Sequence, residues 1–470
     1  DFGSRETIED VEMLNGGNQV DISLNYLRTF EEKGKEMSLL GLYSQNKQNS
    51  DFDIERLMSS ESTDGSFIRN INDSYNKEFT VQFDYVEPIG DKIKFETGAK
   101  NIMRNVTSDF EYLVGEDEGT LQPVSRNNLN DNFDYIQNVT AGYVSGTFDL
   151  GKGYTLMGGG RYEYTTITAN FSDEQDLDIP DYGTFVPSIN FSKKLTPMNT
   201  VKFAYNRRIQ RPSLRFLNPN IDASNPLNIS QGNPNLEPEF TDNFEVSYST
   251  FKNGTSINVS AFMRQTNGSI QQVRETIGQD TVFTTYQNIG EEDAYGVSIF
   301  ANTKIGKFQL SGGVDSYYAI LNNNLEDPLY AASNEGFVIS GRIFGSYEFT
   351  EKWALQFFSF VRGRRVQLQG YQTGYYMYSL SLNHKFNNDR GSIGFGAENF
   401  LTSGMRMNTE VSTPFVDQYS TNVMRNMNFK INFSYRIGKL KVNDSRRRRR
   451  QIENNDLKEG GDSQPMMNNK

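Results

Sequence analysis

From Met427 to Ile437 the chain alternates without interruption. Met427, Phe429, Ile431, Phe433, Tyr435 and Ile437 are large and apolar, and every residue between them is polar. A helix would carry such a pattern through all of its faces, whereas a β-strand places one set on each side. The same period of two recurs in Val20-Ile22-Leu24-Tyr26, Phe79-Val81-Phe83-Tyr85, Val201-Phe203-Tyr205 and Ile257-Val259-Ala261-Met263. It continues in Phe308-Leu310-Gly312-Val314, Ile339-Gly341-Ile343 and Tyr376-Tyr378-Leu380-Leu382. No stretch shows a convincing amphipathic helix. The pattern predicts an all-β chain with about seventeen strands, the first over 18–30, one over 284–304 and the last over 422–437.

Many of these strands run to 10–14 residues. Strands of soluble domains average about 5–6 residues, and a tilted strand needs about 9–11 to cross a bilayer. The connections alternate strictly. Short turns at 31–34, 88–91, 151–152, 196–199, 252–254, 306, 351 and 387–390 are interleaved with long polar segments such as 47–75, 105–132, 168–183, 210–238, 321–335 and 401–421. Outer-membrane barrels have short periplasmic turns and longer extracellular loops. Beside the short turns, on the apolar face, sit Phe30, Tyr85, Tyr154, Phe191, Phe308, Phe349, Trp353, Phe386 and Tyr435, where a barrel wears its aromatic girdle. The opposite face carries Lys94, Glu96, Arg161, Glu163, Arg264, Arg342, Glu348 and Lys430. Unpaired charges are too costly for a dry core, so this face must meet water or a polar plug. The fold expected is a transmembrane antiparallel β-barrel.

Composition narrows the chemistry. Of 470 residues, 47 are Lys or Arg and 59 Asp or Glu, a net charge of −12 that argues against a chain-wide nucleic-acid surface. A 13% aromatic content is too high for a disordered chain. With no Cys and the single His384, neither thiolate nor His-rich metal sites are available, and no catalytic residue, metal site or cofactor is nominated. His384 shares the outward parity of Leu382 and Phe386 next to a short turn, which makes it a membrane-interface residue. The tail 438–470 holds nine basic and five acidic residues, including Arg446 to Arg450, and its low hydrophobicity predicts a disordered, basic periplasmic extension.

If the short turns are periplasmic, the first and last strands both run toward the periplasm. Residues 1–17 are then the remnant of an extracellular loop, 18–437 the barrel and 438–470 the tail. Bacterial barrels have even strand numbers, so seventeen implies that an odd number lies upstream.

The segment Gly232-Asn233-Pro234-Asn235-Leu236-Glu237-Pro238-Glu239 strongly resembles a signature of TonB-dependent outer-membrane receptors. Tyr205-Asn206-Arg207-Arg208-Ile209-Gln210-Arg211-Pro212-Ser213, Leu217-Asn218-Pro219 and the tail from Arg446 to Lys458 resemble the branch common in Bacteroidota. The resemblance implies a 22-stranded barrel with an N-terminal plug and a TonB-contacting segment, both outside this chain. It also implies energised uptake of a bulky, scarce solute. Implied partners are outer-membrane lipid and the TonB complex through the plug, with a surface lipoprotein as a further candidate and no nucleic acid. A passive porin-like barrel, or a structural or adhesive one, satisfies the residue pattern equally; an enzyme is disfavoured.

Candidate ligand-binding residues are cationic, because guanidinium pairs bidentately with anions. Arg207, Arg208, Arg211 and Arg215 flank the segment 210–238, which holds five of the 13 prolines, and Arg362, Arg364 and Arg365 form a second cluster. Each has a plainer alternative, pairing with acidic loops. The stiff proline-rich loop is either a gate over the mouth or a structural cap on one wall.

Overall fold

The computed structural model describes residues 7–59, 67–123, 131–171, 179–218, 221–222, 228–277, 281–324, 331–402, 404–412, 417–438 and 451–458. One sheet of nineteen segments dominates. Setting aside the two-residue pieces Gln122–Pro123 and Leu457–Lys458 leaves seventeen strands, the number expected from the alternation. They are β1 (Thr7–Thr29), β2 (Glu36–Ser59), β3 (Phe67–Ile89), β4 (Ile93–Gly115), β5 (Asp131–Gly151) and β6 (Tyr154–Phe171). The chain continues with β7 (Tyr182–Thr196), β8 (Asn199–Pro212), β9 (Glu239–Lys252), β10 (Thr255–Asn267), β11 (Glu291–Ile305) and β12 (Phe308–Asn322). It closes with β13 (Ser333–Glu348), β14 (Trp353–Arg362), β15 (Tyr375–Phe386), β16 (Gly391–Glu398) and β17 (Asn428–Tyr435). Each pairs antiparallel with the next in an up-and-down meander. Connections of two to six residues alternate with connections of seven to twenty-nine.

Register separates the two faces. Tyr26, Leu39 and Phe83 form one cross-strand row, exposed to 55%, 49% and 40%. One residue away, Ser38 faces Asp84 across the same ladder; both are buried, and the hydroxyl donates to the carboxylate at 2.9 Å. A slip of one residue would exchange these rows, so the apolar band sets the pairing. At the short-turn end Tyr154 stacks on Phe191 at 5.8 Å, Tyr347 meets Phe349 edge-on at 5.0 Å, and Trp353 lies 4.3 Å from the His384 ring. His384 is thus packed among outward aromatics, as its parity required.

The first four strands have 23 or 24 residues, about twice what a bilayer needs. The reading of residues 1–17 as loop is therefore corrected: from Thr7 onward they continue β1, paired with 48–59 of β2. The single strand expected over 284–304 is also corrected. It is two, Thr281–Asn288 and β11, and the break is at Gly290, whose φ is +61° and where a Cβ would overlap the carbonyl oxygen of Asn322. Only glycine fits this position. The freed segment folds back as a hairpin of Ile270–Ile277 and Thr281–Asn288, which joins Asn228–Gln231 and Ile221–Asp222 in a small sheet. The strand expected over 422–437 likewise divides into Asp417–Met424, part of a second small sheet, and β17.

The face assignment predicts an asymmetric response to charge. Val259, 37% exposed on the apolar face of β10, should lose about 2–4 kcal/mol on Val259→Arg if it lies near the bilayer midplane. Asn258→Arg, one residue away on the interior face, should cost well below that. Urea unfolding from lipid vesicles measures both, and equal losses would overturn the assignment.

Candidate functional site

Inward-facing residues of β3, β4, β5 and β6 build a charged socket. Arg104 of β4 is 3% exposed. Its Nε donates to Glu78 of β3 at 2.7 Å and its Nη1 to Gln137 of β5 at 2.9 Å. Glu163 and Thr165 of β6 are buried beside it. Past this point β8 changes its surroundings. Its ladder with β7 ends at Asn206 and its ladder with β9 at Gln210, leaving Arg211 and Pro212 beyond both. Arg211, fully buried, turns onto the inner surface of β6 and β7. It donates to Glu163 at 2.7 Å, Thr165 at 2.9 Å and the Tyr182 hydroxyl at 3.1 Å.

The C-terminal segment fills the remaining donors. The Asp456 carboxylate receives Arg104 Nη2 at 2.6 Å and Nη1 at 2.8 Å, and Arg211 Nη1 at 3.0 Å. The Arg211 amide donates to the Asp456 carbonyl at 2.5 Å, and Leu457–Lys458 pair in parallel with Arg211–Pro212. Asn454 donates to Glu78 at 2.6 Å and Thr80 at 2.9 Å, Lys100 reaches the Glu453 carbonyl at 3.1 Å, and the Lys458 ammonium binds Glu239. The expectation of a disordered tail is thus corrected for residues 451–458, because buried charges on the wall find their counter-charges there; Arg446 to Arg450 lie outside the described residues.

The proline-rich loop lies beside this socket. Phe216, Leu217 and Leu236 pack on Val106, Phe133, Tyr135 and Ala169 of the wall and on Ile270 and Tyr286 of the hairpin, with Phe216 edge-on to Tyr286 at 4.7 Å. The Gly232-to-Glu239 segment is a fastening. The Gly232 amide donates to the Asn218 carbonyl at 2.8 Å, so close that a Cβ would overlap it. Asn233 donates to the Tyr286 carbonyl at 2.9 Å, Asn288 accepts from the Glu237 amide at 2.8 Å, and Glu239 accepts the Ile270 amide. Between loop and wall remains a cavity of about 490 Å³, lined by Asn46, Asn70, Asn72, Gln137, Asn218 and Leu457 among others. Of the two readings of this loop, its packing is that of a cap.

The nominated arginines do not all converge on one point. Arg207 points outward and pairs bidentately with Asp242 at 3.0 and 2.7 Å, with the Tyr205 hydroxyl on the same carboxylate. Arg208 faces inward, exposed, as an electrostatic neighbour of Arg264, which lies over the rings of Phe262 and Tyr317 at 4.4 and 5.5 Å. Arg362 and Arg365 act on the same Tyr317, and Arg364 stacks on Tyr371 at 3.2 Å. The Arg215 side chain lies outside the described residues. Sequence reasoning missed Arg104, Asp456 and Lys458. A signal was present, since Asn454, Asp456 and Lys458 alternate as one face of a strand.

Burial pushes the Asp456 carboxyl up, but the hydrogen bond and charge of Arg104, with the charge of Arg211, outweigh it and hold the group at about 2, below the usual 3.8. A depressed pKa stabilises docking fully above the free value and loses that contribution as pH falls toward the docked one. Mobility of a probe on exposed Asn455 (Asn455→Cys, in a chain without cysteine) should stay low from pH 7 to 5 and rise as pH falls from about 4 to 2. Arg211→Ala, which removes a buried partner from both Glu163 and Asp456, should cost about 3–5 kcal/mol. Arg207→Ala, on the partly exposed pair, should cost about 0–1 kcal/mol; urea unfolding separates the two.

Comparison with known proteins agrees with this architecture. Among the many solved structures that share the fold are three receptors. The ferric-catecholate import receptor Fiu of E. coli K12 is 13% identical, with a TM-score of 0.60 over 90% of this chain and 64% of that one. The siderophore receptor PiuA of Acinetobacter baumannii is 12% identical, at 0.60 over 91% and 65%. The ferric yersiniabactin uptake receptor FyuA of Yersinia pestis is 12% identical, at 0.55 over 85% and 61%. The chain therefore spans less than two thirds of each. A search of curated protein sequences finds no match. The profile of the Outer membrane protein beta-barrel family matches residues 28–435, from the end of β1 to the end of β17. The chain belongs to that family, and its apolar outer face is the surface that meets outer-membrane lipid.

Proposed function

We propose that the chain is the barrel portion of a TonB-dependent receptor of the Bacteroidota type, importing a bulky, scarce solute across the outer membrane. The observation that carries this reading is the wall itself. Seventeen strands present apolar side chains outward and charged ones inward, and the Gly232-to-Glu239 segment fastens a cap at the long-loop end. The three solved relatives are import or uptake receptors for iron-carrying molecules or a siderophore receptor, which favours import over a structural role.

In this reading the barrel is completed to 22 strands, and the plug and its TonB contact belong to the stretch of those relatives that this chain does not span. A surface lipoprotein delivers cargo from outside. The interior-facing Arg208 remains a candidate contact for an anionic group on the solute, together with Arg362, Arg364 and Arg365 near the second small sheet. Arg207 and Arg211 are engaged elsewhere, and Arg215 stays a candidate by sequence position.

The test is uptake. Ferric siderophores, oligosaccharides, peptides and cobalamin are offered to cells with and without the full-length protein, in the presence and absence of TonB. Accumulation of one cargo class that requires both is expected. Accumulation that requires the protein and is indifferent to TonB would favour a passive pore.

A further inference from the structure

Arg104 and Arg211 sit on different strands, four positions apart around the wall, yet both guanidinium groups aim at one carboxylate. Each has a wall partner of its own, Glu78 and Glu163 respectively. Without Asp456, Arg104 keeps its bonds to Glu78 and Gln137, and Arg211 keeps those to Glu163, Thr165 and Tyr182. The donors that reach Asp456 would be left pointing at the same vacant spot. Two buried guanidinium groups converging on one point form a carboxylate clamp.

Peptide backbone recognition lies alongside. The Arg211 amide and the parallel pairing at Arg211–Pro212 accept an extended strand, the strand-addition mode of peptide binding. Flanking the clamp are two further readers at the spacing of a strand. Glu78 and Thr80 bind an asparagine amide two residues before the aspartate, and Glu239 with the Ile270 carbonyl binds an ammonium two residues after it. Leu457, between the aspartate and the lysine, lines the adjoining cavity.

We propose that this interior surface is a recognition site for an extended peptide bearing Asn, Asp and Lys at alternate positions, and that the chain's own segment 453–458 is its resident ligand. The segment is held by side chains and a two-residue ladder, so it is displaceable, and a free peptide with the same spacing competes for the clamp. This goes beyond the transport reading and does not depend on TonB.

The experiment uses the full chain, folded in detergent, with folding checked by the gel-mobility shift on heating. A dye on Asn455→Cys should show high anisotropy in the parent and fall to that of a free terminus when Asp456→Ala is added. A fluorescent heptapeptide of residues 452–458 should bind the Asp456→Ala chain saturably and at least tenfold more tightly than the parent. The same peptide with Asn in place of its Asp should lose that binding. Asp456→Asn, which preserves volume, serves if the alanine variant folds poorly and should behave alike. Equal anisotropy with and without Asp456, or equal binding of the two peptides, would overturn the proposal.

Discussion

A peptide group in hydrocarbon has no water to bond, and leaving its N–H or C=O unpaired costs several kcal/mol. That constraint organises the rest of the structure. A strand survives in lipid only with a neighbour on each side, which forces the meander from β1 to β17 and makes every long strand depend on the register of the next. Fifteen of the seventeen, β2 to β16, have both neighbours. Among the described residues no ladder joins β1 to β17. Consistently, Phe429, Ile431 and Phe433 of β17 are 74%, 73% and 69% exposed, against 40% for Phe203 in the middle of the wall.

The same alternation that satisfies lipid outside concentrates charge inside. Neighbouring strands pair part of this charge on the wall itself, as Glu78 does with Arg104, and the rest is neutralised from within. Arg104 and Arg211 would be costly if left unpaired; with Glu78, Glu163 and Asp456 they form a hydrogen-bonded network. The loop after β8 and the C-terminal segment enter the hollow for complementary reasons. The loop brings Phe216, Leu217 and Leu236 to an apolar patch on the wall, and the tail brings a carboxylate to a cationic one.

Where side chains alternate strictly, the sequence was readable. Strand number, the order of short and long connections, the outward face of Phe203, Val259 and Ile343, and the interface position of His384 all follow from period two and turn residues. Legibility failed where strands continue beyond the lipid. Residues 7–18 and 47–59 pair with Val11, Met13, Phe52 and Ile54 on the inner face and polar residues between them, so without an outward apolar stripe their pattern resembles a polar loop while their backbone is a ladder. It failed again at 270–288, where apolar alternation marks a hairpin that packs inside the mouth rather than in the wall. Gly290 was the visible break, but an isolated glycine within an alternating run is also compatible with a continuous strand. In the tail, low hydrophobicity predicts disorder, although the docking energy there comes from charge pairing that composition does not register.

The nominated arginines show the limit most clearly. Arg207 and Arg211 have the same parity on one strand, and alternation assigns both to the lipid side with Phe203 and Tyr205. Arg207 obeys and pairs with Asp242 across the ladder. Arg211 does not, because the ladder to β9, which still holds Arg207, ends at Gln210 after that to β7 has ended at Asn206, and the strand is free to leave the wall. Once it leaves, a side chain that would have met lipid meets Glu163 and Thr165 on the inner surface instead. Residue type and spacing are identical in kind for the two positions. The difference lies in where a neighbouring strand stops, a long-range property set by the inward turn of the capping loop, and it converts one arginine into a surface pair and the other into half of a clamp.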